Sequence, residues 1–233
     1  MKVILFGGTG MVGQGVLREC LLDRDVTEIL SVVRTPTGQQ HPKLRELHHA
    51  DFFDFTAIAG DLSGFDACFY CLGATSVGKS EAEYTKITYD ITVAAADVVA
   101  HMNPRLTFIF VSGASSDSTE RGSVMWARVK GKAENAILAM PFGASYVFRP
   151  GLIQPMHGAQ SKTALYRIPY RILAPFVPWL RRRFPNYVTT TEVIGRAMLA
   201  VAHRGYPQRI LESADINAVT PEPPAARGTK WRG

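Results

Sequence analysis

The chain has 233 residues, a formal net charge of +6, 46% hydrophobic residues and 20% charged residues. That composition excludes a disordered or fibrous chain, and the length excludes two full-sized domains, leaving room for one α/β domain with a small lobe. The basic residues are scattered except at Arg181-Arg182-Arg183, which argues against a nucleic-acid-binding surface, and Pro169, Pro175 and Pro178 break the stretches nearest to a membrane span.

Taken in chain order, the first element is the apolar run Val3-Ile4-Leu5-Phe6, which leads into Gly7-Gly8-Thr9-Gly10-Met11-Val12-Gly13 and then into Val16, Leu17, Cys20 and Leu21 at helical spacing. A strand, a GxxGxxG turn and a helix in that order form a seat for a dinucleotide pyrophosphate. The first glycines permit a tight turn and let the backbone approach phosphate, while the last lets helix pack on strand. The amides of Met11, Val12 and Gly13 and the positive end of the helix dipole then face the anion.

Further strands are expected at 29–33, 47–51, 67–72, 106–111 and 145–149, with helices at 87–102, 125–140 and 191–203. The last helix starts at a threonine-rich cap. In the second of these helices Trp126, Val129, Ala133 and Ile137 recur at helical spacing. Short buried strands alternating with helices imply right-handed βαβ crossovers and a doubly wound parallel sheet, a Rossmann fold. We expect one domain over 1–220, carrying a small substrate-side lobe at about 155–190 in which Leu165, Ile168, Ile172, Phe176 and Leu180 recur near helical spacing. Residues 221–233 read as a poorly ordered tail.

Cys20, Cys68 and Cys71 are an odd set that fits a reducing compartment, and the chain enters its first strand with no secretory pattern, so a cytoplasmic protein is expected. Cys68 and Cys71 resemble a CxxC redox pair, but three residues apart on a strand they point to opposite faces. The histidines show no metal-ligand spacing, and no metal is assigned.

Where NAD-specific sites carry a carboxylate at the end of strand two, this chain carries Arg34, followed by Thr35 and Thr37. A guanidinium with hydroxyls suits the 2′-phosphate of NADP, with NAD as the other option.

With this order of elements, residues from about Lys2 to His203 resemble the short-chain dehydrogenase/reductase superfamily, within it the atypical, epimerase/dehydratase-like members near the Tat-interacting-protein-like oxidoreductases. The resemblance implies that Asp51 and Phe52 contact adenine, that Leu72, Gly73 and Ala74 line its ribose, and that Pro150, Gly151, Leu152 and Ile153 border the nicotinamide. It implies catalytic roles for Ser112, after strand five, and for Lys130, which would bind the nicotinamide ribose. The tyrosine that the superfamily places four residues before that lysine is Trp126 here, and the place of its helper asparagine falls near Thr88. An indole supplies no proton at accessible pH. Tyr84, Tyr89, Ser115 and Ser116 are the residues nearby that offer another route. Two readings therefore stay open: an NADP(H)-dependent oxidoreductase acting on a small carbonyl, hydroxyl or nucleotide-sugar-like substrate, and a catalytically impaired NADP(H)-sensing protein. A homodimer or a regulatory protein partner is compatible with either.

Overall fold

Four consecutive residues, Val3 to Phe6, are completely buried. Both faces of their strand are therefore covered by apolar layers, as in a parallel sheet rather than one with a wet side. The computed structural model describes residues 1–159 and 186–219. In it β1 (Lys2–Phe6) lies between β2 (Glu28–Val33) and β4 (Ala67–Tyr70), β3 (Leu44–His48) flanks β2, and β5 (Thr107–Val111), β6 (Ala144–Arg149) and β9 (Ile210–Glu212) continue the other way. All six pairings are parallel. The strand order reverses between β1 and β4, and in such sheets ligands bind outside the strands' carboxyl ends at that point.

One face is covered by α1 (Met11–Leu22) and α5 (Thr191–Arg204), whose Val16, Cys20, Ile194 and Met198 pack on Val3, Leu5, Ile29 and Phe69. The other is covered by α3 (Ile91–Met102) and α4 (Met125–Ala139), whose Ala95, Val99, Ala133 and Ile137 pack on Ile4, Phe6, Tyr70 and Phe108. Helices α1 and α5 approach closely because two glycines meet larger neighbours: a Cβ at Gly15 would lie 2.5 Å from the Thr191 Cβ, and one at Gly195 would lie 2.8 Å from the Glu19 Cγ.

The expected doubly wound sheet is present, with local differences. Strand β3 begins three residues earlier than 47 because Leu44 pairs with Ile29 and the chain turns away after His48. The helix expected from 87 is preceded by α2 (Glu81–Thr85), nucleated by a capping box in which Ser80 and Glu83 satisfy each other's backbone amides, and by the π-helical turn Lys86–Asp90. Cys68 packs in one apolar layer and Cys71 against the other, so the two thiols face apart. Strand β9, α6 (Ser213–Val219) and a small second sheet of β7 (Leu152–Gln154) and β8 (Val188–Thr190) were not anticipated, their strands being three residues long. Thr190 caps α5 by accepting from the Val193 amide at 3.0 Å, in line with the threonine-rich start. Residues 160–185 of the expected lobe, with their apolar stripe and Arg181–Arg183, and the tail lie outside the described residues.

The glycine contact makes a clear prediction. Gly15→Val should cost about 1–3 kcal/mol, the usual scale of overpacking, read as a lower urea midpoint. Gly60→Ala, where a Cβ would meet nothing within 4 Å, should leave that midpoint nearly unchanged.

Candidate functional site

The turn after β1 is built on near-contacts that a side chain would prevent. Gly7 has φ +81°, and a Cβ there would lie 2.7 Å from the Cys71 carbonyl; a Cβ at Gly13 would lie 2.0 Å from the Gly7 oxygen. Gly10 is different. It is the N-cap of α1 with ordinary extended backbone (φ −83°, ψ 165°) and no side-chain cap, and a Cβ there would meet only the Gly7 oxygen, at 3.3 Å. The helical ladder starts with the Gln14 amide donating to the Gly10 oxygen at 2.8 Å. The amides of Met11, Val12 and Gly13 precede that first bond, which is the arrangement that binds anions at a helix start. These residues fit a dinucleotide pyrophosphate: no side chain stands over the amides at Gly10, and the turn is packed backbone to backbone at Gly7 and Gly13.

Beside the turn lies a cleft of about 350 Å³ whose lining includes Gly7, Thr9, Arg34, Thr35, Phe52 and Leu72. Residues distant in sequence thus meet at the carboxyl ends of β1, β2 and β4. The Arg34 guanidinium stands 5.7 Å from the centre of the Phe52 ring, within cation–π range. Phe52 is held from behind by Phe55, 5.5 Å away between ring centres. Asp51 is not among the lining residues: its carboxylate accepts the Phe53 amide at 2.8 Å and so shapes the turn that presents Phe52. Gly73 and Ala74 are exposed just beyond Leu72. The hydroxyl of Thr37 is bonded to Glu46 at 2.5 Å, which leaves Thr35 as the hydroxyl beside Arg34 in the cleft.

A second group of residues lies at the ends of β5 and β6. Ser112 is buried, its amide donates to the Phe148 oxygen at 2.8 Å, and its Oγ lies 3.0 Å from the Ser116 Oγ. Ser116 donates its own proton to the Gly113 oxygen at 2.8 Å. Ser112 must therefore be the donor between the two hydroxyls, and it could polarise an incoming carbonyl only by giving up Ser116. Ser115, between them, sits in the left-handed region at φ +67°. The Ala114 amide donates to the Pro150 oxygen at 3.0 Å, binding this loop to the end of β6. Gly151 donates to the Ser213 Oγ at 2.8 Å, while Leu152 and Ile153 enter β7 and pair with β8.

On α4, Ala133 and Ile137 take the core face, whereas Trp126 and Lys130 are half-buried one turn apart and outside both apolar layers. Of the residues at helical spacing on α4, Trp126 thus stands apart from Ala133 and Ile137, which join the core. Lys130 has no hydrogen bond or ion pair among the described residues; burial draws its amine down to about 8, against the opposing pull of Glu134. Glu134 is fully buried and accepts from Arg149, whose Nε lies 3.2 and 3.1 Å from its two carboxylate oxygens. Arg149 reaches Ser118 and, at 3.4 Å, Glu212. One guanidinium therefore ties together α4, β6, β9 and the loop after β5.

Of the tyrosines near the end of β4, Tyr84 is buried and Tyr89 lies 4.4 Å beneath the Lys132 ammonium. Thr88, on the π-helical turn, carries a buried hydroxyl without a hydrogen-bond partner among the described residues. The fold also brings His203 near Asp23 and Asp25, which the sequence keeps far apart; arginines 196 and 204 line the same hollow, and their charge opposes a bound cation.

The sequence profile of the NAD dependent epimerase/dehydratase family matches residues 3–120. The chain is 26% identical over 220 residues to the mitochondrial protein fmp52-2 of Aspergillus oryzae, covering 91% of this chain and 93% of that one. It is 28% identical over 151 residues to the mitochondrial protein FMP52-2 of Scheffersomyces stipitis, where it spans 65% of the relative's length. Among solved structures, MoeE5 in complex with UDP-glucose and NAD superposes with a TM-score of 0.62 at 15% identity, over 91% of this chain and 75% of that one. The Bordetella bronchiseptica enzyme WbmF with NAD+ also gives 0.62, at 14% identity, over 93% and 76%. The oxidoreductase ylbE of Lactococcus lactis gives 0.62 at 15% identity, over 94% and 96%. The names of the fungal relatives overturn the cytoplasmic expectation. The reason is physical: unpaired thiols separate reducing from oxidising surroundings, not one reducing compartment from another, and an apolar first strand reports on folding, not on address.

The amine of Lys130 sets a second prediction. Folding lowers its affinity for a proton from the ordinary value of 10.5 to about 8, so between these values the unfolded chain holds more protons and stability rises with pH. The parent should gain stability on Lys130→Met as the pH goes from about 8 to about 10.5, measured as the difference in urea midpoints. A third prediction is that Arg149→Met, which strands the buried Glu134 carboxylate, costs about 3–5 kcal/mol in the same assay.

Proposed function

Since the chain belongs to the NAD dependent epimerase/dehydratase family, we propose that it is an oxidoreductase using NADP(H) on a small carbonyl, hydroxyl or nucleotide-sugar-like substrate. The observation that carries the cofactor choice is Arg34, which lines one cleft with Gly7 and Thr9 and has no carboxylate partner among the described residues. A guanidinium stacked on Phe52 and flanked by the Thr35 hydroxyl suits a 2′-phosphate, which a carboxylate in that place would repel. In this reading the amides of Met11, Val12 and Gly13 hold the pyrophosphate, Phe52 and Leu72 flank the adenosine, and Asp51, Gly73 and Ala74 shape that end of the site. Pro150, Gly151, Leu152 and Ile153 form the far wall, and Lys130 offers its ammonium to ribose hydroxyls. A bound nicotinamide dinucleotide would supply the hydride chemistry. Ser112 would turn from Ser116 to donate a hydrogen bond that polarises the substrate oxygen, and the alkoxide left by hydride addition would take its proton from water.

A second reading, an NADP(H)-responsive binding protein with little turnover, is favoured by two observations: Trp126 has no dissociable proton, and the Ser112 proton is engaged by Ser116. Restoring a phenol separates the two. If only the acid is missing, Trp126→Tyr should raise carbonyl reduction by roughly 10²-fold, after a check that the variant is folded. No gain in a folded variant that still binds nucleotide favours the sensor.

The cofactor assignment is tested by titration. NADPH should bind more tightly than NADH, and Arg34→Ala should weaken NADPH selectively by about 1.5–3 kcal/mol. Gly10→Val should abolish binding of both nucleotides, because its branched side chain would stand between the backbone and the phosphates, with far-UV CD largely intact, since the Gly7 oxygen that its Cβ meets at 3.3 Å need give by only a few tenths of an ångström. Equal affinities in the parent protein would overturn NADP preference.

A further inference from the structure

The step from β1 to β2 runs over the face that carries α1, and β3 lies beyond β2 in the same direction. A right-handed crossover from β2 to β3 must therefore run over that face as well, beside α1. In a doubly wound sheet a helix ordinarily fills that place. Here residues 34–43 cross it without one. The consequence is a second hollow of about 820 Å³ between α1 and the ends of β2 and β3. Leu17 and Leu21 form its apolar wall and Ser31 and Glu46 belong to its floor, while residues 37–41 pass over it as a strap.

The polar groups inside say what could bind. Arg18 is paired with Glu19, and His157 with Glu192 at 2.7 Å. Glu46 accepts the amides of Thr37 and Gly38 at 2.9 and 3.3 Å, which also pins the strap. His41 accepts the Lys43 amide at 3.1 Å. Every charged or titratable group of the lining is thus engaged by its own neighbours. Ser31 is not: the residue is only 2% exposed and lines the hollow, and its hydroxyl makes no hydrogen bond among the described residues while keeping its access to the hollow. A hydroxyl so placed offers one donor and two acceptor lone pairs to whatever enters the hollow. The size is that of a small-molecule site.

We propose that this hollow is a second ligand site, distinct from the dinucleotide cleft, for an uncharged, largely apolar small molecule whose single polar group meets Ser31. The two sites touch only at Thr9, which lines both. The proposal does not depend on which nucleotide the first site takes.

The test uses the full chain and the neutral fluorophore N-phenyl-1-naphthylamine. One molecule per chain should bind with a rise in fluorescence. Leu21→Glu, which puts a carboxylate on the apolar wall, should weaken that binding at least tenfold. Gln40→Trp, at an exposed strap position where folding is not at stake, should do the same by filling the hollow. Arg34→Glu, in the dinucleotide cleft, should leave it unchanged. The proposal is overturned if no rise is seen, if the rise survives Gln40→Trp in full, or if Arg34→Glu abolishes it.

Discussion

The contact on which the rest of this molecule depends is between two backbones: Gly13 of α1 lies against the carbonyl of Gly7, where even a methyl group would come within 2.0 Å of the oxygen. Gly7 in turn leans on the carbonyl of Cys71 at the end of β4. The start of α1 is thereby held at the point where the strand order reverses, and its unbonded amides open toward the crevice. Because α1 is fixed so low over the sheet, α5 can reach it through Gly15 and Gly195, and one apolar layer closes over β1, β2 and β4.

Two different kinds of chemistry are then mounted on the same edge. At the β1–β2 side the groups facing the cleft are backbone amides, an arginine and aromatic surface, which are suited to holding a large anion and do not themselves react. At the β5–β6 side stand the Ser112 and Ser116 hydroxyls and, on α4, the Lys130 amine, with the buried Glu134–Arg149 pair beside them. Ser112 and Lys130 are unequal in readiness: the serine proton has a partner, whereas the lysine ammonium has none among the described residues. That asymmetry is what keeps a binding role and a catalytic role both in view.

Much of this was legible in the sequence. The turn at Gly7–Gly13 is readable because the steric demand falls on residues contiguous in the chain, and the central strands because their apolar runs are buried on both sides. Arg34 and Phe52 were each identified, but not the stacking of one on the other, which arises only when β2 and the segment after β3 are brought together. Strands β7, β8 and β9 carry three residues each, too few for any periodicity to show. The pairing of Ser112 with Ser116 depends on a loop turning back through a left-handed Ser115. The open flank of α1 is invisible to pattern reading for a different reason: residues 34–43 look like an ordinary loop, and only the handedness of the crossover says that they span a place where a helix belongs.

Arg149 serves two carboxylates of very different standing. Glu134 is sealed from water and held through two nitrogens, whereas Glu212 of the edge strand β9 is half open to solvent and touched at 3.4 Å. If β9 lifts away, the guanidinium keeps its inner partner and no ion is stranded in the interior. The margin of the sheet can thus fray as a local unit, with its amides exchanging with solvent, while α4 and β6 remain locked.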